Sequence, residues 1–106
     1  DILEDYLPES PYMSTSGTIK EEWRDRLSAV NHIDNSTRPQ IIKNEHNPFM
    51  YDLIERVYER TGIPVLLNTS FNKQEPIVET PEEAINTFKQ FESIGLMVLH
   101  NMQVIK

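Results

Sequence analysis

The chain has 106 residues, a formal net charge of −7 and no cysteine, and 38% of its residues are hydrophobic. A chain of this length forms one domain or less, and its apolar content is far above that of disordered proteins. The absence of cysteine excludes disulfides, thiolate nucleophiles and cysteine-ligated zinc. The acidic balance disfavours nucleic acid as a partner, because affinity for nucleic acid depends mostly on neutralising phosphates. Small anionic ligands remain compatible with it.

The ends of the chain and its longest apolar run indicate its organisation. Residues 1–12 are acidic and are predicted to be a linker or lead-in, with the domain itself at residues 13–106. The first residue is Asp1 rather than Met, and we expect an excised piece of a longer protein. The longest apolar run, residues 63–67, is too short to span a bilayer. No membrane partner is expected, and a cytoplasmic location is the default.

Short strands are predicted in the first half of the chain. Residues 13–19 are small, rich in hydroxyl groups and roughly alternating, which is typical of a strand. The charged stretch around Trp23 predicts a loop with one helical turn. Two β-like segments, residues 29–33 and 39–43, are separated by a polar run at residues 34–38 that has strong turn character.

Two main helices are predicted in the second half. Asn47 is suited to cap the first helix, Pro48 to its first position, and Gly62 to its end. Its apolar residues follow the spacing of one buried face: Phe49, Met50, Leu53, Ile54, Val57 and Tyr58. Thr80 and Glu83 form a capping box at the start of the second helix. The apolar stripe of that helix consists of Ala84, Ile85, Phe88 and Phe91.

The remaining apolar segments complete the predicted sheet. Residues 63–67 resemble a strand that is buried on both faces. Residues 96–99 and 102–105 are predicted to form a hairpin, with Asn101 accepting the left-handed conformation of its turn. The order is β-β-β-α-β-α-β-β, an α/β (α+β) arrangement in which two main helices pack on a mixed twisted sheet.

A polar cluster follows the predicted strand at residues 63–67. Asn68, Thr69, Ser70 and Asn72 would lie beyond the carboxyl end of that strand, where α/β sheets bind ligands. In an extended chain Ser70 and Asn72 point to the same side. They could then hold a phosphate oxygen, a carbonyl or a carbamoyl group. The alternative is that these side chains only satisfy a local turn.

Arg38 lies in a hydroxyl-rich turn and is a second candidate. A guanidinium group can bind phosphate or carboxylate with two hydrogen bonds. Asp34 could orient Arg38 or help to hold a magnesium ion. The alternative is an exposed turn with an Asp–Arg pair that contributes little. The three histidines share no metal-ligand spacing, so no metal site is predicted in this chain.

Five short strings occur in a characteristic order. They are SPYM at residues 10–13, HIDNSTRPQ at 32–40, TGIPVLLNTSFN at 61–72, EPIV at 75–78 and TPEEA at 80–84. In order and approximate spacing they resemble the C-terminal region of NodU/CmcH-type O-carbamoyltransferases. The resemblance covers nearly the whole chain beyond Glu9, and PVLLNTSFN is its most specific part.

The resemblance implies a YrdC-like domain that binds carbamoyl phosphate and ATP, with Mg²⁺, and forms a carbamoyl-adenylate. A preceding N-terminal transfer domain of the same polypeptide, with its own metal, would pass the carbamoyl group to a hydroxyl acceptor. Ser70 and Asn72 match the Ser-x-Asn element of YrdC-like proteins. Arg38 would contact a phosphate, with Ser36 in the place of the family's Thr. No catalytic residue is assigned, and the isolated segment is expected to be incomplete and inactive.

The sequence also departs from the family pattern. The loop at Lys73 and Gln74 is one residue short and lacks the glycine that usually precedes EPIV. Asn35 stands where the family usually has glycine, and the basic Lys-x-Arg element of YrdC-like sites is missing. These differences keep an alternative open, a non-catalytic interaction or regulatory module that retains the fold.

Overall fold

The computed structural model of the chain describes residues 2–5, 13–72 and 76–106. The elements in chain order are β1 (Leu3–Glu4), β2 (Gly17–Ile19), α1 (Glu21–Arg24), β3 (Ser36–Thr37), α2 (Pro48–Thr61), α3 (Pro81–Gln90), β4 (Leu96–Leu99) and β5 (Met102–Ile105). The α+β class and the two main helices are confirmed. The described strands form two antiparallel sheets rather than one mixed sheet. The chain divides into two compact units, Asp1–Leu67 and Asn68–Lys106.

In the first unit β2 is the central strand of a three-stranded sheet. It pairs with β1, where Leu3 lies opposite Ile19, and with β3, where Thr18 lies opposite Ser36. The side chain of Ile19 is only 1% exposed. β1 belongs to the segment predicted as a lead-in, and the predicted boundary between residues 12 and 13 stays a prediction.

The predicted strands at residues 29–33 and 39–43 are wrong, and β3 lies in the run predicted as a turn. The turn closes earlier than expected, because the Asn35 N–H donates to the His32 carbonyl at 2.9 Å and Asn35 has a φ of 64°. Asparagine tolerates this left-handed conformation better than most residues. The chain is then free to extend at residues 36–37 and to pair with β2.

Helix α2 has the predicted bounds. The Asn47 side chain accepts a hydrogen bond from the Met50 N–H at 3.1 Å, and Pro48 is the first helical residue. Gly62 ends the helix with a φ of 71°, and its N–H donates to the Tyr58 carbonyl at 2.7 Å. Arg26 donates to the Gly62 carbonyl at 3.3 Å and so ties the end of α2 to the region of α1.

The apolar face of α2 is not buried as predicted. No residue of α2 is buried, and Phe49 and Tyr58 are 71% and 52% exposed. In the described ranges no helix is long and apolar enough to cross a membrane. The apolar stripe of α2 thus has the residue spacing of a helix that packs on a core, but its residues are not buried.

Residues 63–67, called here the 63–67 segment, were predicted as a strand buried on both faces, and this prediction is wrong for this chain. The segment has no regular secondary structure, and Leu66 and Leu67 are 39% and 61% exposed. A strand needs a neighbour for its backbone hydrogen bonds. None of the strands in the described ranges pairs with the segment, so it stays irregular.

In the second unit α3 packs on the β4–β5 hairpin. The predicted capping box is present: the Glu83 N–H donates to Thr80 Oγ1 at 3.2 Å, and the Thr80 N–H donates to Glu83 Oε2 at 3.3 Å. Ala84, Phe88 and Met97 form the buried cluster. Half-buried side chains surround it: Phe71, Val78, Ile85, Ile94, Leu99 and Val104.

The predicted hairpin is confirmed, but its turn differs in detail. Leu96 pairs with Ile105 and Leu99 with Met102, so His100 and Asn101 are the two loop residues. The positive φ is at His100 (52°) rather than at Asn101. A single positive φ at the first loop residue is the pattern of a type II′ turn, whereas type I′ needs it at both.

We expect Thr80→Ala to lower the free energy of unfolding by about 1 kcal/mol, because the first turn of α3 loses its side-chain cap. Chemical denaturation followed by circular dichroism measures the change. Ser93→Ala is the matched control, since Ser93 is exposed and lies outside α3. Equal stability of the two variants would contradict the role of the capping box.

Gly62→Ala is expected to destabilise the protein by about 1 kcal/mol, because a side chain at a left-handed residue is strained. An added Cβ would also meet Arg26 Nη2 at 3.2 Å. Gly95→Ala is the control, because a Cβ there would contact nothing within 4 Å and Gly95 has no left-handed φ. A melting temperature of Gly62→Ala at or above that of Gly95→Ala would show that the cap is unimportant.

Candidate functional site

The 68–72 cluster consists of the predicted site residues Asn68, Thr69, Ser70 and Asn72, and it opens the second unit. Asn68, Thr69 and Ser70 are exposed, and Asn72 is half-buried. Asn68 and Asn72 each have an interaction partner within the protein. In the described part of the chain, the hydroxyl groups of Thr69 and Ser70 form no hydrogen bond. These two hydroxyls are therefore available to a ligand.

Phe71 anchors the 68–72 cluster to the core of its unit. Its ring stacks on Phe91 with centroids 6.2 Å apart and an interplanar angle of 26°. It also packs against the buried cluster that contains Phe88. The ring of Phe71 is held inward while the neighbouring Ser70 stays exposed. This anchor was not predicted, although a single aromatic residue within a polar run was a signal for it.

Arg38 follows β3 in the first unit and is exposed. The predicted pair between Asp34 and Arg38 is not found. In the described ranges the guanidinium group forms neither an ion pair nor a hydrogen bond. Other arginines are engaged, because Arg24 donates to the Ile19 carbonyl and Arg56 pairs with Asp52. Arg38 is therefore a cation without an internal partner there.

Asp34 forms hydrogen bonds with Ser36 rather than with Arg38. Its Oδ1 atom accepts hydrogen bonds from the Ser36 hydroxyl at 2.6 Å and from the Ser36 N–H at 3.0 Å. These two bonds, with a smaller contribution from the charge of His32, lower the pKa of Asp34 from its ordinary value of 3.8. Ser36, the first residue of β3, is thus half-buried, and its hydroxyl is already donated to Asp34.

The described residues contain no cluster of typical metal-ligating side chains. In the ranges 2–5, 13–72 and 76–106 no group of three His, Cys, Asp or Glu residues that could hold a metal ion occurs. The Oδ1 atom of Asp34 accepts both hydrogen bonds from Ser36. We therefore assign no step to a metal held by this chain.

The predicted site residues fall into two groups. Ser36 and Arg38 belong to the first unit, and the 68–72 cluster belongs to the second. Lys73 and Gln74, which form the shortened loop, lie outside the described residues, as do Ser10, Pro11 and Tyr12 of the SPYM string.

A shallow surface depression of about 540 Å³ lies apart from these residues. It is lined by Ile42, Lys43, Asn44, Glu45 and Tyr51. None of them is a predicted site residue. The depression is open to solvent, and its lysine and glutamate carry opposite charges, so it offers no defined ligand chemistry.

Chemically, the available groups suit an anionic or carbonyl-bearing ligand. Arg38 provides a guanidinium with a fixed fork of donors. Thr69 and Ser70 provide neutral hydroxyl donors. Groups of this kind form their strongest hydrogen bonds with charged oxygens.

We expect Ser36→Ala to raise the pKa of Asp34 towards 3.8, because the variant loses the hydroxyl hydrogen bond that contributes most to the lowered value. A lowered pKa in the folded state stabilises the turn above pH 3.8, and the stabilisation is lost as the pH falls through the lowered pKa. NMR titration of the Asp34 carboxyl carbon measures the pKa in the two proteins. Ser28→Ala is the control, and an unchanged Asp34 pKa in Ser36→Ala would contradict the interpretation.

Comparison with known protein families gives a clear result. The family model described as "Carbamoyltransferase C-terminus" matches residues 1–106. An uncharacterised protein of Methanocaldococcus jannaschii is 39% identical to this chain over 102 residues, which is 92% of this chain and 20% of that protein. Nodulation protein NolNO of Sinorhizobium fredii is 38% identical over 97 residues, or 91% of this chain and 14% of that protein.

A third relative agrees with these two. Nodulation protein NolO of Bradyrhizobium diazoefficiens is 37% identical over 97 residues, or 91% of this chain and 18% of that protein. The chain spans no more than a fifth of the length of any of the three relatives. The match of the family model over the full length decides the assignment. The chain belongs to the carbamoyltransferase C-terminus family.

Proposed function

We propose that this chain is part of an O-carbamoyltransferase and binds carbamoyl phosphate and ATP during formation of a carbamoyl-adenylate. Membership of the family supports the carbamoyltransferase role. The observation that carries the proposal is that two of the family-specific strings present exposed polar groups that a ligand could contact. The PVLLNTSFN string presents two exposed hydroxyls without hydrogen bonds in the described part, and the HIDNSTRPQ string presents an exposed guanidinium.

Each group has a role that follows from its chemistry. Water would first cleave carbamoyl phosphate into carbamate and inorganic phosphate, which leaves. Attack of a carbamate oxygen on the α-phosphorus of ATP would then form a carbamoyl-adenylate and expel pyrophosphate. Negative charge then builds on the α-phosphate, and the guanidinium of Arg38 would stabilise it. The hydroxyls of Thr69 and Ser70 would donate to phosphate or carbamate oxygens, and the amides of Asn68 and Asn72 would contact the carbamoyl group. Ser36 would hold the turn that precedes β3, through its hydrogen bonds to Asp34, rather than bind a ligand directly.

The rest of the chemistry is proposed to lie outside these residues. The relatives are at least about five times longer than the part that matches this chain. A preceding N-terminal domain of the same polypeptide would hold its own metal and pass the carbamoyl group to a hydroxyl acceptor. Mg²⁺ would neutralise phosphate charge when it enters with ATP. A YrdC-like fold and a cytoplasmic location complete the proposal.

Calorimetry of the longer polypeptide with ATP and with carbamoyl phosphate tests the binding. Arg38→Ala is expected to weaken binding about 10- to 100-fold, because a hydrogen bond to a charged group contributes roughly 1.5–3 kcal/mol. Ser70→Ala and Asn72→Ala should each weaken binding by about 2- to 10-fold, because a neutral hydrogen bond contributes roughly 0.5–1.5 kcal/mol. Arg56→Ala is the matched control, since Arg56 is exposed and paired with Asp52 on α2.

Two outcomes would contradict the proposal. One is the absence of binding for both ligands in the unsubstituted protein, which would favour the non-catalytic module. The other is binding that Arg38→Ala weakens no more than Arg56→Ala does, which would place the ligand elsewhere.

A further inference from the structure

The 63–67 segment combines two properties that seldom occur together. Its sequence, IPVLL, is apolar throughout, whereas irregular segments on protein surfaces are usually polar. Yet it has no regular secondary structure, and Leu66 and Leu67 are exposed. The sequence is that of a buried strand, and the environment is that of a surface loop.

The backbone of the segment is also unsatisfied. In the described ranges, the N–H and C=O groups of Val65, Leu66 and Leu67 form no hydrogen bond. At the start of the segment Ile63 bonds only to the Thr61 hydroxyl. An apolar stretch with three consecutive unpaired peptide groups is a template for strand pairing.

The helix that precedes the segment supports the same interpretation. Helix α2 ends at Gly62, directly before the segment, and it has an apolar stripe with no buried residue. A helix that leads into a buried strand normally packs its apolar stripe on the sheet that contains the strand. In the described part of the chain, neither the apolar stripe of α2 nor the 63–67 segment is covered by a sheet.

The available partner is the rest of a longer polypeptide. The relatives continue far beyond the matched region, which is 20%, 14% and 18% of their lengths. A second copy of this chain is a less suitable partner, because each copy carries a net charge of −7 and two copies would repel each other.

We propose that residues 63–67 form a β-strand that pairs with a strand contributed by the longer polypeptide outside residues 1–106. The same contact covers the apolar stripe of α2. This inference concerns how the domain is completed and does not depend on carbamoyl or nucleotide binding.

Hydrogen–deuterium exchange of the longer polypeptide tests the pairing. A strand that is paired on one edge protects alternate amides. Either the Leu66 amide or the amides of Val65 and Leu67 are therefore expected to exchange at least about tenfold more slowly than those of the hairpin loop at His100 and Asn101. Pro64 has no amide and gives no signal. Exchange of all three amides as fast as that of the loop would overturn the proposal. No ligand is present, so a failure of ATP binding cannot be mistaken for a failure of the pairing.

Proline substitutions in the longer polypeptide give a second measurement. Consecutive N–H groups of a strand point to opposite edges, so Leu66→Pro and Leu67→Pro each remove a donor from a different edge. At least one should lower the melting temperature by about 4 °C or more, and both should do so if the strand is paired on both edges. Leu66→Val is the control that keeps the N–H. Two proline variants as stable as this control would overturn the proposal.

Light scattering at several dilutions separates the two possible partners. Protection in a monomeric longer polypeptide, unchanged on dilution, supports pairing within one chain. Protection that is lost as a dimer dissociates on dilution would overturn the proposal in favour of a second copy.

Discussion

A strand is ordered only where a neighbouring strand completes its backbone hydrogen bonds, and this requirement determines which parts of the chain are regular. The three-residue strand β2 has the sequence GTI, which contains a single large apolar residue, but it pairs with β1 on one edge and with β3 on the other. Its Ile19 is among the most buried residues of the chain. The 63–67 segment is more apolar than β2 and has no neighbour in the described ranges. Pairing, rather than hydrophobicity alone, separates the two.

The same distinction explains how far the sequence predicts the fold. Helix α2 was predicted with both of its ends and α3 with its start, because these signals are local. The cap of α2 joins Asn47 to Met50, and the capping box of α3 joins Thr80 to Glu83. Strands have no such local definition. Residues 36–37 pair with β2, whereas the more apolar residues 39–43 do not, because the turn at Asn35 fixes which residues lie opposite β2.

In the candidate site, too, features set by neighbouring residues were predictable and contacts between distant residues were not. The exposure of Ser70 and Arg38 agrees with what their polar surroundings in the sequence suggested. The contact predicted between Asp34 and Arg38 is wrong. Asp34 lies two residues before Ser36, and a carboxylate at this spacing accepts hydrogen bonds from the hydroxyl and the N–H of the serine. The anchor Phe71 depends on Phe91, a residue distant in sequence, and only the folded chain shows this contact. Arg38 and Ser70 likewise belong to different compact units.

The charge of the chain places a final constraint on the proposed chemistry. With 17 acidic and 10 basic residues, the long-range field of the protein opposes the approach of an anionic ligand such as ATP. Recognition must therefore come from short-range donors that are free to turn towards the ligand. Arg24 and Arg26 are bonded to backbone carbonyls and Arg56 to a carboxylate, so engaging them with a phosphate would cost existing bonds. Arg38 has no such bond to break in the described part of the chain, and the hydroxyls of Thr69 and Ser70 have none either. The proposed binding of an anion by an acidic protein requires donors that are not already bonded, and the donors named here lie in two of the five strings that carry the family resemblance.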